Sequence, residues 1–106
     1  MSQSFQIDAM RASATDVVSI LKSLANTDRL LILCHLVQQE LNVSQIEEQT
    51  KITQPTLSQQ LMMLRKSDVV TTRRDGKQIY YSIKDANLVE VLNTLYQLYC
   101  HPSLKH

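Results

Sequence analysis

Apolar residues recur at helical spacing in several segments of the chain and as dense β-branched and aromatic runs in one pair. Val17, Ile20, Leu21 and Leu24 fall on one side of a first helix over residues 7–25. Asn26 or Thr27 can cap a second helix over 28–39, whose run LLILCHLV is apolar on nearly every side and so predicts a central, buried helix. A short third helix over 43–50 turns Ile46 inward and Glu47 and Glu48 outward. Leu57, Leu61 and Leu64 stripe a fourth helix, with Thr53 as its expected cap and Pro55 in its first turn, where a missing N–H costs nothing. A fifth, starting at Ser82 or Asp85, carries Leu88, Val91, Leu92, Leu95, Tyr96 and Tyr99.

Between the fourth and fifth helices, the runs Val69 to Arg74 and Gln78 to Ile83 flank Asp75-Gly76-Lys77. Asp-Gly between such runs signals a tight hairpin, because those turns need positive φ, and Gly76 is the only glycine in the chain. The resulting class is mainly α with a small β-hairpin. It is a winged helix-turn-helix of about five helices plus a two-stranded wing, the helix-turn-helix over about 43–67 and the wing over about 69–83. At 106 residues and 43% apolar, residues 1–106 read as a single domain with an aliphatic core. The first and last helices carry more apolar surface than one small monomer needs, which predicts a homodimer.

Charge sharpens this picture. From Lys51 to Lys77 there are six basic and two acidic residues, net +4, while the rest of the chain is net −3. A near-neutral protein that gathers its positive charge on one supersecondary unit is expected to bind a polyanion there. The front of the fourth helix offers Gln54, Thr56, Ser58 and Gln59 to base edges in a major groove, where glutamine suits adenine. Arg65 follows on the same helix, and Arg73, Arg74 and Lys77 cluster at the wing tip within reach of phosphates. The expected partner is double-stranded DNA, read by a dimer at a palindromic operator with half-sites about 34–36 Å apart. Without that role, these residues are a solvated face. No run reaches the ~18–20 apolar residues of a membrane span, and the N-terminus lacks the order of a secretory signal, so a cytoplasmic protein with no membrane partner is expected. The first seven or so residues and the tail after Pro102 are expected to fray.

Three motifs resemble the ArsR/SmtB family of small winged-helix repressors over residues 16–100. They are Leu24-Ala25-Asn26-Thr27-Asp28-Arg29-Leu30-Leu31-Ile32-Leu33, then Gln54-Pro55-Thr56-Leu57-Ser58-Gln59-Gln60-Leu61, and finally Arg73-Arg74-Asp75-Gly76-Lys77 leading into Tyr80-Tyr81-Ser82. Gln60 stands where the family usually has histidine, so nothing assigned to that histidine carries over. Asp68 stands where the family has glycine and must close the fourth helix in a conformation that aspartate tolerates less well. The resemblance implies a DNA-binding repressor, not an enzyme, that responds to a small inducer.

The chain lacks the family's metal-sensing patterns. Its two cysteines, Cys34 in Ile32-Leu33-Cys34-His35-Leu36 and Cys100 in Leu98-Tyr99-Cys100, are similar to the family's thiol-sensing branch, which answers reactive sulfur species or oxidants. That resemblance implies a sensing pair in which one thiolate is modified and the other resolves the adduct as a disulfide or sulfur-bridged link, with loss of operator affinity. Cys100 closes a helix whose dipole opposes a thiolate, so Cys34 beside His35 is the expected nucleophile. Other readings stay open. The cysteines are small buried hydrophobes in most proteins. Cys34, His35, Cys100 and His101 would suit a metal or metalloid, although adjacent helical positions diverge; no metal site and no cofactor is assigned. A thiol enzyme would need a Cys-x-x-Cys or a helix N-terminus at a cysteine, and neither is present. An interaction module without DNA binding would leave the basic wing unexplained. Met62 and Met63 read as packing or partner-facing residues.

Overall fold

The computed structural model describes residues 5–100. In chain order it contains α1 (Ile7–Leu24), α2 (Thr27–Gln38), β1 (Leu41–Asn42), α3 (Val43–Thr50), α4 (Thr56–Lys66), β2 (Val70–Asp75), β3 (Gln78–Ile83) and α5 (Ala86–Tyr99). The five expected helices and the hairpin are present. The sheet, however, has three antiparallel strands in the order β1-β3-β2, because Leu41 and Asn42 pair with Tyr81 and Tyr80. Two residues are too short to show alternation, so β1 left no sequence signal. The tail after Pro102, expected to fray, and the candidate ligand His101 lie outside the described residues.

Side-chain caps fix where most helices begin. Asn26 Oδ1 accepts from the Arg29 backbone N–H at 3.0 Å. Asn42 and Gln45 form a reciprocal capping box at α3, with bonds of 2.8 and 2.9 Å. Asp85, rather than Ser82, caps α5 through the Asn87 N–H at 2.8 Å. Thr53 does not cap α4 with its side chain. Instead Gln54 Oε1 accepts from the Ser58 N–H at 3.1 Å, and the Thr53 carbonyl accepts from the Leu57 N–H at 2.9 Å. Gln54 reaches the first-turn donors that a shorter threonine would have had to meet from the cap position itself.

The core gathers Ile32, Leu33 and Leu36 of α2, Ile46 of α3, and Leu57, Leu61 and Leu64 of α4. Leu41 of β1, Ile52 after α3, Val69, Val70 and Tyr81 of the hairpin region and Leu88 and Leu92 of α5 complete it. Each such aliphatic side chain contributes about 1.5–3 kcal/mol on burial. α2 is central but not buried all round, since Leu31 and Cys34 on its far side are exposed. That side faces a groove and not a packed layer.

Three turns among the described residues use left-handed backbone, the first at Lys51, which closes α3 at φ 65° with its N–H bonded to the Glu47 carbonyl at 2.9 Å. Asp68 closes α4 at φ 60°, its N–H bonded to the Arg65 carbonyl at 3.0 Å and its carboxylate to Lys84 Nζ at 2.8 Å. Gly76 sits at φ 64° as the first of a two-residue loop, Gly76-Lys77, because Asp75 pairs with Gln78 as the last rung of the ladder. Asp75 therefore belongs to the strand and not to the turn, and a glycine-first loop of two residues matches the twist of the flanking strands.

Candidate nucleic-acid interface and thiol pair

With Leu57, Leu61 and Leu64 buried, α4 turns Ser58, Gln59, Met62, Arg65 and Lys66 to solvent, while Thr56 is half-buried. Gln54 is exposed just ahead of the helix, but its Oε1 is engaged by Ser58, at 2.6 Å from the hydroxyl and 3.1 Å from the backbone N–H. Adenine readout by glutamine needs both amide oxygen and nitrogen, so Gln59 is the better-placed glutamine and Gln54 serves first as a cap. Met62, expected to pack or to face a partner, is 60% exposed at the centre of this face. An exposed thioether beside Ser58 and Arg65 can meet a thymine methyl as readily as it can pack.

The wing divides its cations. Arg73 does not project freely from the tip. Its guanidinium holds Glu40 at 2.6 Å, lies 3.9 Å from Asp75 and stacks over the Tyr80 ring at 4.7 Å. Glu40 follows α2 and β2 is 33 positions later, so only the β1-β3-β2 strand order brings them together. The hydrogen bond from Arg73 holds the Glu40 carboxyl below the usual carboxylate range, against a smaller opposing effect of burial. Arg74 curls toward the tip, its Nε donating to the Gly76 carbonyl at 3.3 Å. Among the described residues, Lys51, Arg65, Lys66, Arg74 and Lys77 have no carboxylate within salt-bridge reach. They form an unneutralised positive surface spanning α4 and the wing.

The thiols lie on the other side of α2. Cys34 lines a groove of about 510 Å³ between α2 and α5, with Leu31, His35, Val37, Leu92 and Tyr96 among its walls. Cys100 follows α5, its N–H bonded to the Tyr96 carbonyl at 2.8 Å. Both cysteines are exposed. They stand 66 positions apart in sequence, yet α5, which Cys100 closes, packs against α2, which carries Cys34. Desolvation in the groove pushes the Cys34 thiol up, and Cys100 pushes it further. Both effects run against the expectation that Cys34 is the activated nucleophile. Among the described residues, no three His, Cys, Asp or Glu side chains converge as a metal site would need.

Residues 26–72, from the α2 cap into β2, match the bacterial regulatory protein, arsR family. The biofilm growth-associated repressor of Xylella fastidiosa is 44% identical over 91 residues, covering 86% of this chain and 80% of that protein. The crystal structure of the transcriptional repressor BigR from Xylella fastidiosa superposes with a TM-score of 0.86 at 42% identity, covering 91% of this chain and 98% of that one. A homodimeric winged helix-turn-helix DNA-binding domain from Mycobacterium bovis, solved in solution, gives a TM-score of 0.73 at 32% identity, covering 98% and 95% of the two chains.

Proposed function

The chain belongs to the arsR family of bacterial regulatory proteins, and from that premise we propose that it is a homodimeric, DNA-binding transcriptional repressor switched by its two thiols. α4 enters the major groove, the wing lies along the backbone, and Cys34 with Cys100 answers a reactive sulfur species or oxidant. The single observation that carries this reading is the groove between α2 and α5, which exposed Cys34 lines and whose second helix ends at exposed Cys100, in a fold that presents uncompensated cations on α4 and the wing. The relatives supply the rest: BigR is a repressor and the Mycobacterium bovis domain is a homodimer. The dimer reading also has support within this chain. Ile7, Met10, Val17 and Leu21 are exposed on α1 at seam-like spacing, and Leu98 and Tyr99 are exposed at the end of α5.

The chemistry balances with a persulfide as co-reactant. One cysteine thiolate attacks the terminal sulfur of a persulfide, the sulfur–sulfur bond breaks, and the donor leaves as a thiolate. The other cysteine thiolate then attacks the protein-bound sulfur of the new Cys–S–SH and expels hydrosulfide, leaving a disulfide between Cys34 and Cys100. A polysulfide donor that leaves an extra sulfur behind gives a sulfur-bridged link instead. Either bond ties α5 to α2 and changes how the dimer presents its two α4 helices, so both half-sites can no longer be met together. The regulator acts on chromosomal DNA in the cytoplasm, and no described helix is long and apolar enough to cross a membrane.

Intact mass spectrometry of the protein before and after polysulfide tests the sensing arm. The expected product has lost two hydrogens, with or without the gain of one sulfur, and the link maps between the two cysteine peptides. Adducts confined to one cysteine, with the other still free, would overturn the paired-thiol reading.

A further inference from the structure

Arg29 occupies an unusual position among three elements. It lies in the first turn of α2, and its side chain turns back to the end of α1. Its Nε donates to the Ser23 carbonyl at 3.0 Å and its Nη2 to the Lys22 carbonyl at 3.0 Å. Those carbonyls belong to the last turn of α1, where the helix dipole favours a cation, and the Lys22 carbonyl also accepts from the Ala25 N–H at 3.2 Å. The remaining arm, Nη1, crosses to α4 and donates to Gln60 Oε1 at 3.0 Å, 31 positions along the chain. Gln60 is half-buried on the flank of α4 next to Leu57 and Leu64, behind the face that carries Ser58, Gln59 and Arg65. One planar guanidinium thus bonds the C-terminus of α1 and the back of α4 at once. The bonding is charge-assisted and fork-shaped, which fixes orientation as well as distance.

We infer that Arg29 and Gln60 are positioning residues that lock the recognition helix to the dimerisation helix and so set the distance and angle between half-sites that the dimer accepts. This rests on the reading above, in which α1 pairs with its counterpart and α4 enters DNA. α1 and α4 share no strand and no adjacent stretch of chain. Apolar packing alone would hold α4 in place but allow it to roll about its axis, because burial is non-directional. The Arg29 fork supplies the missing angular constraint. The Ser23 hydroxyl, bonded to the Ile20 carbonyl at 2.7 Å in a residue that is 2% exposed, keeps the last turn of α1 rigid where Arg29 grips it.

The test uses the full-length protein and a duplex selected by the wild type from a randomised pool, together with the same duplex carrying one or two inserted base pairs between half-sites. Each insertion rotates one half-site by about 35° relative to the other. Wild type is expected to discriminate sharply against the insertions. Gln60→Met removes the acceptor with little change in volume, and Arg29→Lys keeps the charge but not the fork. Each should relax that discrimination by about tenfold, the scale of a hydrogen bond to a charged group. Binding to an isolated half-site should stay unchanged. Gln60→Glu, which keeps the acceptor, should retain wild-type discrimination. Spacing discrimination as sharp in Gln60→Met and Arg29→Lys as in wild type would overturn the inference. So would an equal loss on single half-sites, which marks a general weakening of α4. A wild type that selects no two-fold duplex would instead overturn the dimeric DNA-reading function itself.

Discussion

At the scale of single residues, the two thiols and the wing arginine each depend on one neighbour. Cys34 is pushed toward its neutral form first by the groove walls and then by Cys100. Removing Cys100 removes the second influence only. Cys100→Ser is therefore expected to speed alkylation of Cys34 by iodoacetamide at alkaline pH, where a charged Cys100 would otherwise oppose the Cys34 thiolate. An unchanged rate would show that the two thiols do not sense each other. Glu40 acts similarly on Arg73. Because the bond to Arg73 lowers the Glu40 pKa, the stability it contributes is present above the ordinary glutamate range and is lost only as pH falls through the lowered value. The pair therefore stays closed near neutrality, and Arg73 must leave Glu40 to reach a phosphate. Glu40→Gln should free it, strengthen DNA binding at low salt and steepen the log–log salt slope by up to about one. A slope no different from wild type would mean that Arg73 never touches the backbone. The cysteines stand out in the sequence because their flanking residues form a pattern. Glu40 does not, since its partner is chosen by strand order and not by any local spacing.

At the scale of elements, the fold is legible in the sequence wherever periodicity is long and hidden where geometry is local. The apolar stripes of α1, α4 and α5 and the β-branched hairpin runs are each long enough to declare their period. β1 is two residues long, and the start of α4 depends on a glutamine that caps from outside the helix, a role for which Ser, Thr, Asn or Asp is the usual choice. The site follows the same division. The polar front of α4 and the cations of the wing are visible as composition, whereas the engagement of Gln54 by Ser58 and of Arg73 by Glu40 exists only in three dimensions. Gly76 offers a test at this scale. A Cβ placed there meets nothing within 4 Å, yet φ is +64°, so Gly76→Ala isolates backbone strain from crowding. The cost should be about 1 kcal/mol, or about 5 °C in Tm. No loss in Tm would show that the loop changes its turn type freely, and the wing cations would then not be held in register.

At the scale of the whole molecule, the chain is more open than its length requires. Its radius of gyration is 15.7 Å, against about 13 Å for a compact domain of this size. α1 and α5 carry Val18, Leu21, Tyr96, Leu98 and Tyr99 in the open, Leu98 and Tyr99 at 68% and 75% exposure. Such surfaces are costly in water and are expected to be covered by the same surfaces of a second copy. α2 then stands between three functions, gripping α1 and α4 through Arg29, leading to the wing through Glu40, and carrying Cys34 on its groove side. The proposed covalent link between α2 and α5 is expected to disturb all of them.

The most direct measurement is a DNA titration by fluorescence anisotropy, using duplex from the region upstream of the protein's own coding sequence, with reduced and polysulfide-treated protein side by side. Reduced wild type is expected to bind in a sequence-dependent way and to lose at least tenfold in affinity after treatment, while Cys34→Ser binds equally well before and after. Treated wild type that holds DNA as tightly as the reduced form, or a Cys34→Ser protein released as readily as wild type, would contradict the account.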